Sequence, residues 1–206
     1  MEVIGYFQII KDVAVSGAAC LTAYVAFTGV SKWQDEMSGK ANFEVARELA
    51  RSMYLLRDEI SYCRSPFTAA HEFPDTYRSG LGNHTNEEHG QAWAYVYSNR
   101  WEPVGKALQL FDTASLEAEA LWGRDIKDKT NALRKCVRSL QVDIQAYISN
   151  KYNGGESFED REYAKKVEFG IWDVKKDENK LTTSINTAIS EIESIVRPHL
   201  ARNINL

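Results

Sequence analysis

The chain has 206 residues, 44% of them hydrophobic and 26% charged, with a formal net charge of −4. That is long enough for a domain with a real core and too apolar for a disordered chain, while the acidic balance argues against a nucleic-acid partner, which calls for a basic face. Three widely spaced cysteines, Cys20, Cys63 and Cys136, match neither a zinc signature nor a disulfide framework, so they read as small hydrophobes in a reducing compartment.

Residues 13–30, VAVSGAACLTAYVAFTGV, contain no charged side chain. Eighteen helical residues rise roughly 27 Å, just short of the ~30 Å hydrocarbon layer of a bilayer. The apolar run at 3–10 lengthens the element across Lys11 and Asp12, and Lys32 and Trp33 are residue types that anchor a span at the headgroups. The expectation is a membrane-anchor helix over residues 1–31, against the alternative of a helix buried within protein. Its apolarity is marginal. Val13, Val15, Leu21, Val25, Phe27 and Val30 contribute about −2 to −4 kcal/mol together, and the polar positions offset part of that. Such a span gains from a companion, and Ala14, Ala18, Thr22 and Ala26 form a small-residue stripe along which a second helix can approach. Lys32, Lys40, Arg47 and Arg51 follow the segment and only Lys11 precedes it, which places the remaining body, 32–206, in the cytoplasm.

After this segment the pattern is helical almost throughout. Ala46, Leu49, Met53, Leu56, Ile60 and Cys63 recur at alternating steps of three and four, ending at Pro66. The rhythm returns at Val104, Ala107, Phe111, Ala114, Ala118 and Leu121, with Pro103 in the first turn and Gly123 at the end. Leu133, Val137, Leu140, Ile144 and Tyr147 mark a third helix, from near Asp125 to Asn153. Leu181, Ile185, Ala188, Ile192 and Ile195 mark a fourth, capped near Asp177 and ended by Pro198. The expected class is all-α: an N-terminal transmembrane helix followed by an antiparallel four-helix bundle. Residues 65–90 read as a long aperiodic loop, and 156–176, containing VEFGIWDV, as a short helix or an irregular segment.

Chemistry-bearing residues concentrate in that loop. His71, His84 and His89 lie near Glu72, Asp75, Glu87 and Glu88, and imidazoles with carboxylates can hold a transition metal. The five-residue step in HTNEEH matches no zinc signature, so solvated loop residues are the plainer reading and Glu87 completes only a weak metal set. In AWAYVYSNRW, Trp93, Tyr97 and Trp101 share a face on a helix, and Trp93, Tyr95 and Tyr97 share one on a strand; either way they read as packed core or, beside Arg100, as aromatics for a ligand or partner peptide. Phosphate loops, nucleophile elbows and dinucleotide fingerprints are absent. No cofactor is expected.

The apolar opening running into SKWQDEMSGKANFEVARELARSMYLLRDEI, then RSPF, LWG at 121–123 and RPHL at 197–200, resembles a loosely defined group of bacterial membrane-anchored helical proteins without an assigned function. The resemblance implies a bacterial origin and a helical body tethered to the inner membrane, with no catalytic residues to carry over. The functional expectation is a non-enzymatic interaction or scaffold protein whose partners are the lipid bilayer and either further copies of itself or another membrane protein. A membrane-permeabilising effector of a stress or phage-defence system, and a metal-dependent enzyme using the histidine-bearing loop, are the alternatives.

Overall fold

A computed structural model describes residues 2–80, 82, 84–156, 158, 160–174 and 178–201, with the side chains of 2–10 and 12–14 excepted. All regular structure among them is helical: α1 (Glu2–Cys63), α2 (Asp75–Ser79), α3 (Asn86–Trp122), α4 (Arg124–Tyr152), α5 (Arg161–Ile171) and α6 (Lys180–Leu200), with one 3-10 turn at Ala70–Glu72. The all-α class holds.

Residues Met1–Glu44 and Val45–Leu206 form two compact units, and α1 belongs to both without a break at residue 31 or 44. The core lies in the second. There α1 contributes Leu49, Met53, Leu56 and Ile60, α3 contributes Val104 and Phe111, α4 Leu133 and Leu140, α5 Val167 and Ile171, and α6 Ile185 and Ile192. Each such side chain, withdrawn from water, stabilises the fold by about 1.5–3 kcal/mol.

Pairings between helices set their directions. Glu119 meets Lys127 at 2.6 Å and Asp112 meets Arg134 at 2.6 Å, so residue numbers fall on α3 as they rise on α4. Lys129 meets Glu191, and Trp122, two residues before α4, stacks on His199 at 4.4 Å, so α6 runs antiparallel to α4. Tyr54 donates to Glu193 at 2.8 Å and Arg64 to Thr182 at 3.0 Å, which runs α6 antiparallel to the end of α1. A single residue joins α3 to α4. Gly123 has φ +76°, a conformation a side chain would strain, and its N–H donates to the Glu119 carbonyl.

Several expectations change. The aperiodic loop ends at Thr85, because α3 starts there on a reciprocal cap: Glu88 N–H donates to the Thr85 hydroxyl at 3.2 Å and Thr85 N–H to the Glu88 carboxylate at 2.7 Å. Pro103 is therefore inside α3 rather than in its first turn. A proline there costs about 3 kcal/mol, and the buried stripe that passes through it, from Ala92 and Val96 to Val104 and Ala107, outweighs the loss. Residues 161–171 form the short helix α5, and Asn179 caps α6, its side chain accepting from Thr182 N–H at 3.2 Å. Asp177 lies outside the described residues. Pro198 sits within the last turn of α6, which runs on to Leu200.

The opening segment is helical, but its span of a membrane is not supported. Among the described residues no helix is long and apolar enough to cross a membrane.

Candidate functional site

The first unit presents apolar side chains to its surroundings. Val15, Leu21, Tyr24, Val25, Phe27, Val30, Trp33 and Met37 are each half exposed or more, and Ala18, Thr22 and Ala26 of the small-residue stripe are exposed too. The side chain of Ala14 lies outside the described residues. These positions fall on every side of the helix, so no single face is left polar. The two threonines answer their own polarity: Thr22 donates to the Ala18 carbonyl at 2.8 Å and Thr28 to the Tyr24 carbonyl at 2.9 Å. A hydroxyl bonded back to its own helix needs no water, which suits an apolar medium. Cys20 is exposed on this segment, whereas Cys63 and Cys136 are buried and unpaired. Burial pushes the Cys63 thiol up to about 12, so it stays protonated and inert.

The histidines divide. His84 and His89 come together on Tyr77: the His84 ring stacks on it at 4.1 Å, and the Tyr77 hydroxyl shares a 2.7 Å hydrogen bond with His89 Nδ1. Glu88 stands 3.9 Å from His84. Gly80 makes room for this stack, since a Cβ there would run into the His84 ring. His71 is exposed on the 3-10 turn and outside the cluster, and Glu87 is exposed and bonded to Gln91. Two imidazoles, one of them engaged by a tyrosine, make an incomplete ligand set. Among the described residues no group of three or more histidine, cysteine or carboxylate side chains is placed to hold a metal.

No protein-family model, curated protein or solved structure matches the chain.

The aromatics singled out from the sequence pack inward. Trp93 and Tyr97 stack with centroids 6.1 Å apart, and Tyr147 meets both edge-on, at 5.4 and 5.8 Å. Lys151 caps this group, 4.9 Å from the Tyr147 ring centre. Trp101 is half-buried against the same core. Tyr97 is only 1% exposed, so a partner has no access to it. Burial raises its hydroxyl well above the usual phenol range and pushes Tyr147 up to about 12.

Sequence reasoning missed two buried arginines. Arg64, 2% exposed, follows the end of α1 and reaches the far end of α5. It donates to the carbonyls of Gly170 at 2.8 Å and Phe169 at 3.0 Å, and to Asn179 Oδ1 at 3.1 Å, with Asp173 at 3.7 Å. A cation at a helix C-terminus offsets the partial negative charge of its unpaired carbonyls. Burial lowers the Arg64 pKa, and Asp173 works against that shift. Arg100 holds the segment after α1 in the same manner. It grips Glu72 with two bonds of 2.6 and 3.0 Å and donates to the carbonyls of Ser65 at 2.9 Å and Phe67 at 2.8 Å. These hydrogen bonds hold the Glu72 carboxyl below its usual range. Both guanidiniums spend their donors on the protein itself, so they build the fold and leave little for a substrate. RSPF and SNRW carried no sign of this, because a buried arginine and a surface arginine look alike in a sequence.

Proposed function

We propose that the protein is a membrane-anchored helical interaction or scaffold module, non-enzymatic and oligomeric, whose body stands in the bacterial cytoplasm at the inner membrane. One observation carries this reading: a helical stretch apolar on all sides, its large side chains half exposed or more, whose threonine hydroxyls are satisfied within the helix. Exposed apolar surface of this extent marks a membrane or protein contact. The anchor is the uncharged run 13–30, lengthened by the apolar run 3–10 across Lys11 and Asp12. A weak anchor of this kind is stabilised by a companion helix, which is the basis for oligomer formation along Ala18, Thr22 and Ala26.

The permeabilising alternative rests on Ser16, Thr22 and Thr28 as lumen-facing groups. Threonine hydroxyls committed to backbone carbonyls favour the anchor over the pore. The metal-enzyme alternative has two converging histidines but, among the described residues, no group of three placed to hold a metal, and it is not pursued.

Fractionation of the full chain tests the anchor. The protein is expected in the membrane pellet after ultracentrifugation, resistant to an alkaline carbonate wash, and the double substitution Leu21→Arg with Val25→Arg is expected to shift most of it to the supernatant. Wild-type protein found wholly in the soluble fraction refutes the reading.

A further inference from the structure

Helix α4 is basic in an acidic protein. It carries seven lysines and arginines against three aspartates, whereas α3 carries two basic residues against six carboxylates. Neighbouring helices neutralise part of this charge, Glu119 taking Lys127, Asp112 taking Arg134 and Glu191 taking Lys129. Lys135 and Arg138 are exposed and make no ion pair among the described residues. Like charges one helical turn apart, such as Arg134 and Arg138, repel one another, a standing cost that an anion between them removes.

A cavity of about 470 Å³ opens where these side chains meet, lined by Asp128, Asn131, Arg134, Lys135 and Arg138. Arg134 is fixed within it. Its Nε donates to Asp112 at 2.6 Å, its Nη1 donates to Thr130 at 3.1 Å and Asn131 at 3.0 Å, and its plane lies over the Phe111 ring. A guanidinium already held in place loses little entropy when it meets an anion. The lining has no apolar side chain, which disfavours a hydrophobic or base-like ligand, and the volume exceeds that of a bare oxyanion. Asp128 brings one negative charge, which repels a naked polyanion and accepts a hydrogen bond from a hydroxyl.

The geometry points to a site for a phosphate ester that carries free hydroxyls, the phosphate oxygens meeting Lys135, Arg138 and the edge of Arg134, and a hydroxyl meeting Asp128. A free small molecule and a phospholipid headgroup such as phosphatidylglycerol share this chemistry. The site does not depend on the fate of the first unit.

The test uses the full chain. Calorimetric titration with glycerol 3-phosphate probes the free ligand. Co-sedimentation with phosphatidylcholine vesicles, with and without phosphatidylglycerol, probes the headgroup. Saturable binding of one ligand per chain, or extra sedimentation that depends on phosphatidylglycerol, is expected, weakened at least tenfold by Lys135→Glu with Arg138→Glu and unaffected by Lys106→Glu on α3. Binding in the first assay identifies a soluble ligand, and binding in the second alone identifies the lipid. Thermal melting checks that the variants fold, and the milder Lys135→Gln with Arg138→Gln replaces the double glutamate if that one does not. Absence of binding in both assays, or binding that the paired variants retain, overturns the assignment.

Discussion

Helix α1 places two kinds of apolar surface on one continuous backbone. Over residues 15–37 its large side chains are exposed on all sides, Phe27 by 74%, while over residues 46–63 a single stripe from Ala46 to Cys63 is buried and the other faces carry mostly polar and charged residues, with Leu55 and Tyr62 exposed among them. The backbone hydrogen bonding is helical in both, so the difference lies wholly in how apolar residues are distributed around the axis. A stripe about 100° wide can be covered by neighbouring helices. An apolar cylinder cannot be covered by neighbours on one side, so one part of α1 is buried by its own chain and the other stays exposed.

The largest effect expected is on a matched pair of substitutions across this divide. Phe111→Ala, in the core, is expected to cost about 3–5 kcal/mol of unfolding free energy. Phe27→Ala, at an exposed position, is expected to stay within about 0.5 kcal/mol. Urea unfolding of the second unit, followed by tryptophan fluorescence, checks both. Equal losses would mean that residues 15–37 share a folded core, and the contrast drawn above would collapse.

Of comparable size is the effect on the clasp that follows the buried end of α1. Arg64→Ala removes the buried cation that satisfies the carbonyls of Phe169 and Gly170, with an expected loss of about 3–5 kcal/mol. Arg64→Lys is expected to recover less than half of it, because an ammonium cannot bridge carbonyls and Asn179 from a planar fork. Hydrogen exchange at residues 168–173 is the readout, and full rescue by lysine would reduce Arg64 to a simple point charge.

The smallest effect expected is on pH dependence. Glu72 has its folded-state pKa depressed by Arg100, so its contribution is present above the unfolded value near 4.5 and is lost as pH falls through the depressed one. Acid is therefore expected to loosen residues 65–73 before the core of Phe111 and Leu140 melts. Glu72→Gln is expected to lower stability at pH 7 and flatten the slope below pH 4.5. Melting temperatures measured between pH 3 and 7 decide this, and an unchanged slope in the variant would assign the acid sensitivity elsewhere.

Much of the fold was legible because periodicity is local. The stripes at 46–63, 104–118, 133–147 and 181–195 each encode a helical face that packs inward, while Leu121, read as the end of the second, is exposed. The front half of α3 was harder to read. Trp93, Tyr95 and Tyr97 suit a period of two as well as four, and Pro103 argues for a boundary that tertiary burial overrides. The signal that resolves it was present as Thr85-Asn86-Glu87-Glu88, a reciprocal cap whose histidine neighbours drew a metal reading instead.

Composition and spacing alone determined that this chain is helical, where its apolar faces lie, and that residues 13–30 are unlike everything after them. Only the tertiary structure decided that Arg64 and Arg100 are interior groups, that His84 and His89 meet on Tyr77 without His71, and that Arg134 is locked beside the exposed Lys135 and Arg138. The physical reason is range. A buried face is written by residues three and four apart, whereas desolvating a guanidinium depends on acceptors that the chain brings in from distant segments, as Gly170 and Asn179 are brought to Arg64.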